Sequence, residues 1–423
     1  MAGWQATNSL VTLPIKMTPM QPLVRTSSAF YACLSSSSYQ AEFRSAVRCI
    51  DTTSPYDSLL SGGWVKLICG ASFEDVADVR NLSLVYTLAG VDCIDCAADP
   101  SVVKAVREGV DAATGIAVTL YPSGVLPVHK PWIMVSINDD EDVHFRKAVF
   151  DPSRCPTSCA RPCEHICPAS AIMLSASLGT SLTGGVLNDR CYGCGRCISV
   201  CPLGLIGANS YTRNSKDVSN LLNSGTVDAV EIHTNARHME AFRNLWQSLE
   251  GSTECLKLIA ISLPDVGDNM LATMWDLYNV MKPTLKALNL WQLDGRPMSG
   301  DIGAGATKAA VRLAAKVAAF TDRPPGFLQL AGGTNFHTVK AMAALGLFQP
   351  GYERNLLEKP ESERKACATI AGVAYGGYAR KILRQILASL NSDNGSSKLE
   401  DHPVLFLTAV KEANYLVAML KEH

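Results

Sequence analysis

Eight cysteines lie within residues 155–201, and their spacing is the clearest chemical signal in the chain. The second group has the pattern Cys-x2-Cys-x2-Cys-x3-Cys-Pro and consists of Cys191, Cys194, Cys197, Cys201 and Pro202. This run is typical of [4Fe–4S] sites, because thiolates at two-residue gaps can surround one face of a cubane. Gly193 and Gly195 let the backbone approach the cluster sulfides, where amide groups can donate hydrogen bonds. The group therefore predicts an iron–sulfur site.

The first cysteine group has wider gaps and consists of Cys155, Cys159, Cys163, Cys167 and Pro168. Its last gap and its terminal proline match those of the second group, and the segments 167–172 and 201–206 form an internal repeat. In such paired groups the fourth cysteine ligates the other cluster. We therefore expect two clusters. One is held by Cys155, Cys159, Cys163 and Cys201, and the other by Cys167, Cys191, Cys194 and Cys197.

Other uses of these cysteines are possible. Clustered cysteines with short gaps in a chain of 423 residues favour metal binding over a disulfide framework. Structural zinc uses paired Cys-x2-Cys units, which explain two Cys-Pro endings poorly. The wide gaps of the first group leave open a [3Fe–4S] cluster at that site. Two [4Fe–4S] clusters are the preferred prediction.

The cysteines outside these groups are expected to be structural. Cys93 and Cys96 have Cys-x2-Cys spacing, but they lie in a strand pattern that points their thiols to opposite faces. We therefore expect two buried cysteines rather than a redox pair. Cys69, Cys255 and Cys367 are expected in the core.

Short apolar runs alternate with helical patterns on both sides of the cysteine groups, which is the signal of a parallel sheet. We predict eight strands: Val65–Cys69, Val91–Ala97, Trp132–Ile137, Val227–His233, Leu256–Leu263, Leu290–Asp294, Phe327–Ala331 and Ala371–Tyr375. Eight βα units favour a closed (β/α)8 barrel over an open doubly wound sheet. The α+β cluster module, residues 150–210, would be inserted after the third strand. The barrel halves are residues 60–140 and 220–395, and residues 400–423 form a C-terminal helix.

Glycines follow the last two predicted strands, at the rim where such barrels hold phosphate. They are Gly332, Gly333, Gly376 and Gly377. Backbone amides at glycines can approach an anion closely, although the same glycines can simply form tight turns. Glu231 and His233 end the fourth strand at the same rim. No nucleophile paired with a base is evident, so catalytic residues stay unassigned.

The first forty residues contain no acidic side chain and are rich in serine, as in organelle transit peptides. We predict a transit peptide over residues 1–48; an ordinary disordered tail is the alternative. The net charge of −1 predicts no nucleic-acid partner. No uninterrupted apolar run reaches the ~20 residues of a membrane helix, so no transmembrane segment is expected.

Several segments resemble the light-dependent period family of cyanobacterial proteins. They are Val65–Ala71, Tyr86–Asp95, Leu293–Asp301, Leu330–Asn335 and the two cysteine groups, over about residues 60–395. The cysteine groups alone resemble two-cluster bacterial-type ferredoxins. The family resemblance implies iron–sulfur binding and redox sensing, with input to the circadian clock in cyanobacteria. Together with the acid-poor leader, it implies a homologue in the chloroplast stroma.

Two functions are expected from these observations. The first is redox sensing or electron transfer in the chloroplast, with a redox protein or a quinone-linked partner and a regulatory protein as a further partner. The second is a flavin-dependent oxidoreductase, in which the clusters feed electrons to FMN. The four rim glycines would then hold the FMN phosphate, with Arg296 or Lys257 near the flavin.

Overall fold

A computed structural model describes residues 33, 36–47, 54–121, 129–176, 182–235, 237–296, 305–348, 350–352, 366–390 and 396–422. Its strands, in chain order, are β1 Trp64–Gly70, β2 Cys93–Ala97, β3 Trp132–Asn138, β4 Arg146–Val149, β5 Ile172–Ala176, β6 Leu182–Val186, β7 Gly207–Ser210, β8 Ala229–His233, β9 Leu258–Pro264, β10 Leu288–Asp294, β11 Phe327–Ala331, β12 Pro350–Tyr352, β13 Ala366–Ala368 and β14 Gly372–Tyr375.

The described helices begin and end at the residues listed here: α1 Ser37–Ala46, α2 Pro55–Ser61, α3 Val76–Leu88, α4 Pro100–Leu120, α5 Pro162–Ile166, α6 Arg196–Val200, α7 Ser215–Asn223, α8 Met239–Ser248, α9 Met270–Met281, α10 Thr307–Ala318, α11 Thr338–Ala344, α12 Gly377–Leu390 and α13 Pro403–Lys421. The local sequence explains where several of these helices begin. At α4, for example, Asp99 accepts hydrogen bonds from the amides of Ser101 and Val102, and Pro100 occupies the first turn.

Eight parallel strands form a closed barrel in the order β1-β2-β3-β8-β9-β10-β11-β14, and β14 pairs with β1. This confirms the predicted (β/α)8 architecture and excludes the open sheet. Closure demands a close approach at Gly372, where an added Cβ would lie 1.9 Å from the carbonyl oxygen of Trp64. Glycine at that position therefore lets the last strand meet the first.

Side chains that point into the barrel form layers. The layer at the amino ends of the strands is an apolar plug of Trp64, Cys93, Met134, Ala229, Leu258, Leu290 and Phe327. The next layer is polar and buried, and contains Lys66, Asp95, Ser136, Glu231, Gln292 and Gln329. Because inward positions recur every second residue, each polar residue lies two positions after a plug residue on its strand. The barrel is thus filled by apolar side chains at one end and by buried polar side chains toward the other.

The inserted module leaves the barrel after β3 and returns before β8. It has two antiparallel strand pairs, β4 with β7 and β5 with β6, and a small core of its own. Cys155, Cys163, Cys167, Cys191 and Cys197 are part of that core. Since loops after barrel strands emerge at the carboxyl ends, the module lies over the barrel mouth.

The helix α1 lies within the predicted leader. Phe43 of α1 is fully buried, its ring centroid lies 5.1 Å from that of Phe406, and the Tyr39 hydroxyl donates to the Pro403 carbonyl at 2.8 Å. The prediction of disorder through residue 48 is therefore wrong for Ser37–Ala46, because Tyr39 and Phe43 form an apolar face one helical turn apart. Residues 1–32 of the predicted transit peptide lie outside the described residues.

The C-terminal helix α13 is long and apolar enough, by length and composition, to cross a membrane. In the fold it is packed against the barrel helices, with Phe406, Val410 and Val417 fully buried. Its last residue, Lys421, forms an ion pair with buried Asp92 at 2.6 Å. Through these contacts, the apolar face of α13 forms part of the protein core.

The cysteines outside the module follow the expectations in part. Cys93 lies in the barrel plug and Cys96 in the layer between barrel and helices, so their thiols do face opposite sides. Cys69 is buried, as predicted. Cys255 is exposed, and its expected burial is wrong because it lies in the turns between α8 and β9. The side chain of Cys367 lies outside the described residues.

Replacing Phe43 by alanine tests whether α1 belongs to the folded protein. We expect Phe43→Ala to lower the free energy of unfolding by about 3 kcal/mol, because a fully buried ring is lost. Denaturant unfolding under anaerobic conditions measures this change. Val404→Ala, at a side chain that is 77% exposed on α13, is the control and should change stability by less than about 0.5 kcal/mol. Equal stability of the two variants would contradict the docking of α1.

Candidate iron–sulfur centre and barrel-mouth cavity

The internal repeat of the cysteine groups extends to the backbone. The helices α5 and α6 each follow a residue in the left-handed conformation, Arg161 (φ 52°) and Gly195 (φ 75°). Three residues after the fourth cysteine of each group, Ser170 (φ 50°) and Gly204 (φ 61°) adopt the same conformation. The first group thus uses non-glycine residues at a cost of roughly 1–3 kcal/mol each. The two cysteine loops therefore have the same backbone conformation at these positions, although their residue types differ.

Four thiols of the crossed arrangement lie together in the second half of the module. Burial, together with the nearby thiols of Cys194, Cys191 and Cys167, raises the pKa of the Cys197 thiol to about 12. One small cavity is lined by these four cysteines and by apolar residues. Four thiolates this close repel one another unless a cationic centre lies between them. The donor set and the cavity therefore fit an iron–sulfur cluster.

The remaining four thiols form a second neighbourhood. Burial raises the pKa of Cys155, and the thiols of Cys159 and Cys201 add to that effect. Burial also raises the pKa of Cys163, and the Cys201 thiol adds to that shift. The structure thus brings Cys201 to the first group, and Cys167 to the second, as the crossed assignment requires. Ligation by the eight cysteines stays a prediction.

Backbone amides donate to three of the cysteine sulfurs. The N–H groups of Ala171 and Leu205 lie 3.2 and 3.4 Å from the sulfurs of Cys167 and Cys201, each four residues earlier. The Ala148 amide lies 3.3 Å from the Cys191 sulfur. Hydrogen bonds of this kind stabilise thiolates and tune cluster potential.

A cavity of about 550 Å³ lies at the barrel mouth, between the barrel and the module. This volume is typical of small-molecule sites. All four predicted glycines contribute to its wall: Gly332, Gly333, Gly376 and Gly377. Gly332 and Gly333 have φ values of +71° and +94°, so the turn after β11 requires glycine. The glycines are thus both turn residues and cavity wall.

The two residues expected near a flavin lie at opposite ends of the barrel. Arg296 follows β10 and lines the cavity. Lys257 precedes β9 at the amino end, where its Nζ is 2.7 Å from Asp228 Oδ1. The expectation for Lys257 is therefore wrong, because it lies one residue before its strand rather than after it.

The barrel-mouth cavity and the cluster cavity share a wall. Pro168, Ala169 and Tyr192 line both. The Arg380 guanidinium lies 4.4 Å from the centroid of the Tyr192 ring. Arg384, one turn along α12, donates to the Cys167 carbonyl at 2.9 Å. The helix that follows the glycine-lined turn therefore contacts the cysteine loops directly.

A buried charge network forms the floor of this cavity. Lys66 Nζ contacts a Glu231 carboxylate oxygen, and both side chains are almost fully buried. His233 Nε2 lies 3.0 Å from the other oxygen, and Gln292 donates to the same atom. Burial opposes ionisation of Glu231, but Lys66 and His233 hold its pKa well below the usual range. Burial alone would lower the pKa of His233, and the Glu231 carboxylate raises it to about 9.

Asp95 is the side chain in this network best suited to proton transfer. Burial, together with the Glu231 charge, raises its pKa to about 7 against the opposing effect of Lys66. The Ser136 hydroxyl donates to Asp95 Oδ1 at 2.8 Å. A carboxyl group that titrates near neutral pH in a cavity can act as a general acid or base.

Sequence reasoning found part of this floor. It placed Glu231 and His233 at the rim but did not single out Lys66 or Asp95. Their signal was nonetheless present, because each is a charged residue inside an otherwise apolar barrel strand. Gln292 gave a weaker signal of the same kind, because it is polar but not charged. A polar residue at an inward position of such a strand reports either a buried pair or a site.

Comparison with known proteins assigns the chain to two family models. Residues 155–212 match the LdpA Fe-S cluster-binding domain, and residues 221–419 match the Light dependent period A C-terminal domain. The chain is 44% identical over 369 residues to a protein named Light dependent period A from Synechococcus elongatus, covering 87% of this chain and 94% of that protein. It is also 35% identical over 83 residues to the iron–sulfur subunit of an arsenate respiratory reductase from a Shewanella species, covering 19% of this chain and 34% of that subunit.

The raised pKa of Asp95 predicts a pH-dependent stability difference. The folded state holds this proton up to about pH 7, whereas the unfolded chain releases it near 3.8. The stability of the native protein relative to Asp95→Asn should therefore fall by about 1 kcal/mol between pH 6 and pH 7, and then level off by pH 8. Anaerobic denaturant titrations of both proteins at several pH values measure this. A difference independent of pH would contradict the raised pKa.

Proposed function

The chain belongs to the Light dependent period A family, and we propose that it holds two [4Fe–4S] clusters for redox sensing or electron transfer in the chloroplast. Iron–sulfur binding follows from the cluster-binding domain over residues 155–212. The number of clusters is supported by the two neighbourhoods of four thiols. The cluster type is supported by the Cys-x2-Cys-x2-Cys-x3-Cys-Pro run.

One observation carries the redox role. The cavity lined by Cys167, Cys191, Cys194 and Cys197 shares Pro168, Ala169 and Tyr192 with the lining of the barrel-mouth cavity. A change of cluster charge would be felt directly across such a wall, because screening is weak between buried groups. A cluster held by these four cysteines could therefore exchange an electron, or an electrostatic signal, with a molecule bound at the barrel mouth.

The proposed location and partners rest on the amino-acid sequence and on the position of the module. The acid-poor, serine-rich residues 1–40 support import into a chloroplast, with a stromal mature protein. A redox protein or a quinone-linked partner would supply electrons to clusters that lie in a module on the barrel surface. A regulatory protein could then respond to the oxidation state.

Iron and sulfide analysis tests the cluster count. Protein purified without oxygen should contain about eight iron and about eight acid-labile sulfide atoms per chain. Cys201→Ser should remove about half of both, because Cys201 belongs to the site of Cys155 and Cys159. Cys255→Ser, at an exposed cysteine outside both groups, is the control and should retain all of them.

Double variants decide the crossed assignment. Adding Cys155→Ser to Cys201→Ser should remove no further iron, whereas adding Cys191→Ser should remove nearly all of it. The opposite pattern would refute the crossover. Zinc in place of iron and sulfide in the native protein would refute the clusters altogether.

A flavin-dependent oxidoreductase is the second candidate, and the glycine turns favour it. The amino end of α12 and the turn at Gly332 and Gly333 meet in the wall of a cavity that also receives Arg296 and Lys381. Amides at a helix start and nearby cations attract a phosphate. FMN bound there would have its electron source across the shared wall.

Flavin binding can be measured directly. Under this second function, FMN should bind the anaerobic protein with quenching of its fluorescence, and Lys381→Met should weaken binding by about tenfold through loss of one phosphate contact. Lys340→Met, at an exposed lysine outside the cavity wall, should bind as the native protein does. Absence of both bound and bindable flavin would leave redox sensing as the function and exclude the flavin enzyme.

A further inference from the structure

We propose that Asp142, His144 and His233 form a binding site for one divalent transition-metal ion at the edge of the barrel-mouth cavity. The site is separate from the cysteine groups and contains no thiolate. It is assembled from two neighbouring strands. His233 is the last residue of β8, and Asp142 and His144 lie on the segment that follows β3, which pairs with β8.

The distances suit a shared ion. One potential ligand atom from each residue can be chosen so that all three lie within 4.8 Å of one another. Asp142 Oδ1 is 2.7 Å from His144 Nδ1 and 3.9 Å from His233 Nδ1. Ligand atoms of a tetrahedral zinc site lie about 3.3 Å apart, given metal–ligand bonds near 2.0 Å. Small side-chain rotations would therefore bring the three atoms onto one ion.

His233 is held as metal-bound histidines usually are. Its Nε2 contacts Glu231 Oε1 at 3.0 Å, which leaves Nδ1 directed toward Asp142. A carboxylate on the far nitrogen fixes the ring orientation and makes the ligating nitrogen more basic. Glu231 is itself fixed by Lys66 and Gln292, so this outer support is buried and rigid.

The loop that carries the other two ligands is also fixed. The His144 amide donates to Asp142 Oδ1 at 2.7 Å, and the Phe145 amide donates to the Asp142 carbonyl at 3.0 Å. The Phe145 ring is fully buried, and its centroid lies 5.3 Å from that of His233. The Ser72 hydroxyl donates to the His144 carbonyl. The ligands therefore start near their places, and little ordering is needed when an ion binds.

Three protein ligands would leave one coordination position of the metal ion open. His144 and His233 both line the barrel-mouth cavity. Three protein ligands with an open position are typical of zinc sites that bind water or substrate, and of ferrous sites with two histidines and a carboxylate. The occupant would therefore be Zn(II) or Fe(II). Its open coordination position would face the barrel-mouth cavity.

Metal analysis of cluster-loaded protein tests the site. Full-length protein is purified anaerobically, dialysed against about one equivalent of zinc or ferrous iron, and freed of unbound ion. We expect about one zinc, or about one iron in excess of sulfide, per chain. Either result supports the site and identifies the ion. His144→Ala and Asp142→Ala should each lower that extra metal at least tenfold, while iron and sulfide of the clusters stay unchanged and show that the protein is folded.

His238→Ala is the matched control. His238 lies in the same loop region after β8 and contacts a carboxylate, Asp140, but it is not one of the three ligands. It should retain the extra metal. The proposal is overturned if the native protein binds no ion beyond its clusters, or if His144→Ala and Asp142→Ala retain as much as His238→Ala. In that event the three residues form only a hydrogen-bonded group.

Discussion

Ion pairs and a hydrogen bond between the cluster module and the barrel mouth fix where the cysteine loops lie relative to the cavity. Glu74, just after β1, lies between Arg213 at 2.7 Å and Lys147 at 3.3 Å, both from the inserted segment. The Glu74 amide also donates to the Asp189 carbonyl at 2.7 Å. Half-buried ion pairs contribute more when several share one geometry than singly. Their role here is positional, because they place one cysteine loop against the cavity wall.

The buried charges below that contact are not explained by a need for stability. Placing the Lys66 ammonium and the Glu231 carboxylate in a barrel interior costs solvation that their mutual attraction offsets only in good geometry. An apolar layer like the plug beneath would be at least as stable. The chain nevertheless carries charge at this level, where a cavity opens above it. We interpret the network as support for the chemistry of the cavity rather than as a source of stability.

The sequence predicts the fold well because its strongest signals are periodic. Eight apolar runs, each followed by a helical pattern, dictate the barrel, and the insertion point after β3 dictates that the module covers the mouth. The cysteine spacing predicts the crossed sets. Lys66 and Asp95 escaped notice because a strand pattern records burial and not what a buried charge contacts. Asp142 and His144 carry no spacing signal, since they meet His233 only through the pairing of β3 with β8.

Barrel closure also determines what the functional unit must be. The family model over residues 221–419 contains five of the eight barrel strands, β8 to β11 and β14. Alone, these would form an open sheet whose edge strands, β8 and β14, expose unpaired backbone groups. The first three strands, which precede both family models, cover those two edges. They also contribute Asp95 to the cavity lining and Lys66 as the buried partner of Glu231. The cluster module and the barrel therefore act as one structure, because the cavity between them exists only when residues from before, within and after the cysteine groups fold together.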